Sequence, residues 1–108
     1  MGRASILGEL EQMVLMAVLR LDDPYPVSVR NEIHTRTGVE LSRGTIYVTL
    51  HRLERRGHVE SRLGDPTPER GGKAKRCFTV TPAGKRALRA SQTALRRLGE
   101  GLDSVIGR

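Results

Sequence analysis

The chain has 108 residues, with 19 Lys and Arg against 12 Asp and Glu, a formal net charge of +7. That length suits one domain around one core and excludes a large multi-domain enzyme. Tyr25, Tyr47 and Phe78 are the whole aromatic complement, 3 % of residues, so the core has to be aliphatic.

In residues 7–21, LGELEQMVLMAVLRL, the positions Leu10, Met13, Val14, Ala17, Val18 and Leu21 keep the spacing of one helical face. Leu15, Met16 and Leu19 fill most of the other side. A helix apolar nearly all round is buried on two sides, and in so small a chain the second side is expected to meet another subunit. Pro24 and Pro26 in DDPYP end it. Residues 28–37 predict a second helix, with Val29 and Ile33 four apart and Gly38 as a left-handed C-cap. In VELSRGTIYVTLHRLERRG, Ser42 is the N-cap of a third helix, Ile46, Leu50 and Leu53 are its inward stripe, and Gly57 closes it.

From His58 the period changes to two, with Val59 and Leu63 alternating with His58, Glu60 and Arg62. Residues 76–80 predict a second strand with Phe78 and Val80 on one face, after the long loop GDPTPERGGKA. Thr81-Pro82 supplies an N-cap and an N1 proline for a last helix running from about 82 to about 105. The chain is therefore expected to be α+β and mainly helical, in the order helix, helix, helix, strand, loop, strand, helix. Two helices joined by a short Gly-containing turn and followed by a two-stranded ribbon define a winged helix-turn-helix. Residues 1–81 form that domain, and 82–108 add a dimerisation helix packed on it.

The charge is uneven. Residues 1–41 hold four basic and six acidic groups, whereas residues 42–108 hold fifteen basic and six acidic, so a polyanion is expected to dock on the second half. With its apolar stripe turned inward, the third helix presents Ser42, Arg43, Gly44, Thr45, Tyr47, Val48 and His51, with Arg52 at the margin. Arg bridges guanine edges, hydroxyls hold phosphate oxygens, and Gly44 leaves the first turn open for close approach of a phosphate. Arg70, Lys73, Lys75 and Arg76, interleaved with Gly71 and Gly72, make a basic wing suited to the minor groove or to phosphates. Double-stranded DNA is the partner these two elements imply. Single-stranded and RNA modes need stacking aromatics that the chain lacks.

In the last helix, Leu88, Leu95 and Leu102 are seven apart, Leu98 and Val105 fill the intervening positions, and Ser91 is the one polar break. One helix cannot bury that seam alone. Its partner is the extra apolar face of the first helix (Leu15, Met16, Leu19), from the same chain or a second one, and a twofold homodimer would set paired readers about one DNA turn apart. A small apolar or aromatic effector could lodge at such an interface among Met13, Met16, Leu19, Leu95 and Leu98, positions that equally serve as interface packing.

His34, His51, His58 and Cys77 show neither metal-ligand spacing nor a catalytic motif, so no enzyme activity, metal or cofactor is expected. A lone cysteine, no secretion signal and no apolar run of membrane-spanning length point to a cytoplasmic protein with no membrane partner. A protein-interaction module on the same winged scaffold is the competing function.

Three segments carry a family resemblance: LGELEQMVLMAVLRL, LSRGTIYVTLHRLERRGHVESRL and RCFTVTPAGKRAL. Together they resemble the PadR family of bacterial transcriptional regulators, most closely its small members with a short C-terminal helix. The resemblance implies a homodimer, usually a repressor, with Tyr47 and the start of the third helix on DNA and a domain-swapped contact between first and last helices. Cys77-Phe78 stands where an aromatic pair is common, and with no Trp the drug-stacking pocket of some small members is not carried over.

Overall fold

The computed structural model describes residues 6–64 and 75–107, and its elements assemble around α1 (Glu9–Arg20). Val14, Leu15, Ala17 and Val18 are all buried on this helix, because α2 (Pro26–Thr37), α3 (Arg43–Arg55), β2 (Arg76–Val80) and α4 (Pro82–Gly99) pack around it. The apolar all-round character read from sequence thus has a largely internal explanation. Leu15, assigned above to a partner-facing side, is 0 % exposed in the chain's own core, and Leu88 of the expected seam is 7 % exposed in the same core. Met16 is half-buried and only Leu19 of that trio is exposed.

Local chemistry sets the helix ends. Pro26 opens α2 at a position where a missing N–H costs no hydrogen bond, two residues before the expected start, and Ser28 Oγ accepts the Tyr25 N–H at 2.9 Å. Gly38 closes it at φ 76°, a conformation side chains resist. Ser42 Oγ accepts the Thr45 N–H at 3.1 Å to start α3, and Gly57 follows its end at φ 79°. Between α2 and α3, Arg30 Nε donates to the Leu41 carbonyl at 2.9 Å and fixes the turn.

β1 (Val59–Leu63) and β2 pair antiparallel, with Val59 opposite Val80, Ser61 opposite Phe78 and Leu63 opposite Arg76. Val59, Phe78 and Val80 are buried, but Leu63 is exposed: its pair lies at the outer end of the ribbon, beyond the core that the alternation pattern assigns it to. The Phe78 N–H reaches the Pro24 carbonyl at 3.1 Å, tying the free edge of β2 to the connection between α1 and α2.

Thr81 caps α4, accepting the Gly84 N–H at 3.0 Å and donating to the Gly57 carbonyl at 2.6 Å. The helix ends at Gly99 rather than near 105, because Gly101 turns the chain at φ 82°, and a short turn, α5 (Asp103–Ile106), follows. Leu102 and Val105 therefore do not continue the α4 seam as one heptad stripe. Ser91, expected as a polar break, is fully buried: its hydroxyl accepts the Leu7 N–H at 2.8 Å and donates to the Ala87 carbonyl at 2.8 Å. Leu7 is buried there, and its carbonyl takes a bond from Gln12 Nε2 at 3.0 Å.

Candidate nucleic-acid interface

Ile46, Thr49, Leu50 and Leu53 seat α3 in the core, with Thr49 Oγ1 donating to the Thr45 carbonyl at 2.7 Å. Rotation of the helix is thereby fixed, and the opposite edge is set by geometry. Ser42, Arg43, Gly44, Tyr47, Val48, His51 and Arg52 are exposed and Thr45 is half-buried, so the expected reader residues share one accessible strip. Tyr47 at 52 % and Val48 at 57 % exposure are large side chains that burial does not account for. At Gly44 an added Cβ would meet nothing closer than Ser42 Oγ at 4.0 Å, so the fold does not require glycine there.

Of the four expected wing cations, Arg70 and Lys73 lie outside the described residues. Lys75 and Arg76 stand where the ribbon emerges, and both have protein contacts. Lys75 Nζ sits 5.5 Å from the centre of the Tyr25 ring, a cation–π contact. Arg76 Nη1 donates to Ser61 Oγ at 3.0 Å, and Ser61 Oγ donates to Glu54 Oε2 at 2.6 Å, linking both strands to α3.

One cluster was not visible in the sequence. Glu11, in the first turn of α1, is buried and holds two arginines of the α3 region, Arg56 at 3.2 Å and Arg52 at 3.9 Å. Arg52 was expected only as a marginal DNA contact. The pairing spans 45 positions between Glu11 and Arg56, and no local spacing announces it.

The remaining seam residues all lie outside the core. Leu95 (58 % exposed), Leu98 (81 %), Leu102 and Val105 all face outward, as does Ile106 of α5. Ile6, Met13, Met16 and Leu95 line an open apolar groove between α1 and α4. Among the described residues, no helix is long and apolar enough to cross a membrane, and no group of three His, Cys, Asp or Glu is placed to hold a metal ion.

A capped helix with an exposed polar and basic edge, followed by a two-stranded ribbon with cations at its outer end, defines a winged-helix DNA-binding regulator. Residues 15–90 match the Transcriptional regulator PadR-like family, and the chain belongs to that family. It is a non-enzymatic transcriptional regulator. It is similar to Transcriptional regulator Rv3488 of Mycobacterium tuberculosis, 40 % identical over 78 residues that cover 63 % of this chain and 67 % of the relative. Its fold is similar to a PadR family transcription regulator from Clostridium difficile, with TM-score 0.76 and 19 % identity over 93 % of this chain and all of the other. A PadR-like regulator from Bacillus cereus gives TM-score 0.73 at 16 % identity, over 92 % of each chain.

Proposed function

We propose that the chain acts in the cytoplasm as a homodimeric repressor that reads a pseudo-palindromic operator, with residues 1–81 as the DNA-binding domain and 82–108 as the dimerising part. The observation that carries this reading is the exposed α3 edge, where Arg43, Gly44, Tyr47, Val48 and His51 stand together on a helix whose rotation is fixed by its buried side. Arg43 is suited to a guanine edge and the Tyr47 hydroxyl to a phosphate. The open space at Gly44 supports the same reading, since a glycine that the protein does not need fits close approach of a DNA backbone to the helix N-terminus. Exposed Leu95, Leu98, Val105 and Ile106 support a second copy as the partner, because so much apolar surface on a small domain favours association. A small apolar or aromatic effector would take the Met13, Met16 and Leu95 groove where it meets that second copy.

The test is a titration against duplex DNA from the region upstream of its own gene, in rising salt and with random competitor. Specific binding resists the competitor and weakens steeply with salt. Arg43→Ala and Tyr47→Ala are each expected to cost about 1–3 kcal/mol of duplex affinity with helicity unchanged. Unchanged affinity in both would remove α3 from the reading role, and a wild-type protein that binds no duplex would favour the protein-interaction module. Neutralising Arg70 and Lys73 is expected to weaken binding to all sequences alike and to flatten the salt slope by about one for each phosphate that is no longer neutralised. A slope equal to wild type would take those two residues off the phosphates.

A further inference from the structure

Glu11 sits with its carboxylate buried, where a charge is stable only with several partners. Oε1 accepts the Gly8 N–H at 3.0 Å, and Oε2 faces Arg56 Nη1 at 3.2 Å and Arg52 Nη1 at 3.9 Å. The two arginines are about half exposed, so each keeps guanidinium N–H groups in solvent for another acceptor. Arg52 lies one turn beyond Val48 and Arg56 one turn beyond Arg52, so the row continues from the exposed reading edge of α3. Two cations on the DNA-reading element thus already face an anion built into the fold.

We propose that Glu11 is the internal counter-anion of the reader helix, holding Arg52 and Arg56 where a DNA phosphate would otherwise hold them. The consequence follows from charge alone. Salt-dependent affinity for duplex of any sequence grows with each phosphate a protein neutralises, by about 0.9 in the log–log salt slope. Arginines engaged by Glu11 add little to that indiscriminate term, which leaves discrimination to the reader edge. Glu11 is therefore a positioning residue for sequence reading, acting through two arginines rather than by touching DNA. Its own position depends on the segment just before α1. The Gly8 N–H is on Glu11 while the adjacent Leu7 N–H is on Ser91 of α4, so one short segment joins the reader helix to the C-terminal helix.

This inference rests on the DNA-reading function proposed above, and the test separates the two. The probe is a duplex of random sequence, titrated at several salt concentrations with wild type, Glu11→Gln and Glu11→Gln combined with Arg52→Gln and Arg56→Gln. Gln keeps an oxygen for the Gly8 N–H while removing the charge. Glu11→Gln is expected to bind the random duplex roughly tenfold more tightly at low salt and to steepen the slope by about one to two per chain, and the triple variant should abolish that gain. Wild-type slope and affinity in folded Glu11→Gln would overturn the proposal while leaving DNA reading intact. A wild type with no salt-dependent duplex binding would remove both. Should Glu11→Gln fail to fold, the wild type decides: the Arg52 and Arg56 Nε NMR signals should keep their free-state positions on the random duplex, and large shifts of both would overturn the proposal.

Discussion

Replacing Gly84 by alanine is expected to lower the stability of the fold by about 3 kcal/mol, at the upper end of what overpacking costs. A Cβ at this position would stand 2.1 Å from the His58 carbonyl oxygen and 2.9 Å from Val80 Cγ1. The nearer atom is backbone and cannot rotate aside. Nor can α4 lift away without loss: the Thr81 N–H is bonded to the same His58 carbonyl at 3.0 Å, and Thr81 Oγ1 to the Gly57 carbonyl at 2.6 Å. The first turn of α4 is therefore pressed onto the turn between α3 and β1, and glycine is what lets the two backbones approach. At 4–8 °C per kcal/mol for a domain of this size, the melting temperature should fall by roughly 12–24 °C at matched protein concentration. Gly99→Ala is the control, since nothing lies within 4 Å of a Cβ there and the helix gains up to about 1 kcal/mol. Equal melting temperatures for wild type and Gly84→Ala would mean that α4 does not rest on that turn.

The elements legible from sequence are those whose ends have local chemistry. Ser42, Gly38, Gly57 and Thr81-Pro82 each act within a few residues of themselves, and the caps and left-handed turns fall where these residues stand. The strand at 76–80 was likewise readable, because Phe78 and Val80 alternate with polar residues across one buried face. Failures occur where the deciding partner is distant. Leu15 reads as surplus apolar surface in the sequence because local spacing does not reveal that four elements pack around α1. Ser91 looked like a flaw in a leucine seam because its partner, the Leu7 N–H, is 84 positions away. Glu11 shares that difficulty, as a charged residue in a first helical turn is ordinarily a solvated companion of the helix dipole. The end of α4 is different, since a signal was present: Gly99 and Gly101 flank Glu100, and a heptad pattern in the leucines outweighed two glycines that end helices.

Introducing Glu at both Leu95 and Leu98 is expected to convert a dimer at micromolar concentration into a monomer, with the dissociation constant raised at least about a hundredfold, roughly 2.7 kcal/mol. The two residues are separated from the core by their exposure, so within one chain the substitutions place charge where water already is and should leave helicity and the monomer fold unchanged. Across an apolar interface the same carboxylates would lose their hydration without compensating partners, a cost large enough to open the contact. Leu15→Glu and Leu88→Glu are expected to behave oppositely, because those side chains are buried inside the chain and their replacement should unfold it. Sedimentation analysis of the three variants therefore separates surface available to a second copy from core that is not. On the proposed reading, in which each chain contributes one α3 to an operator of two half-sites, duplex affinity should fall with dimer dissociation in the Leu95 and Leu98 pair. A wild-type protein that sediments as a monodisperse monomer at micromolar concentration would remove the dimer. A dimer that persists in the double variant would move its interface off the outer face of α4.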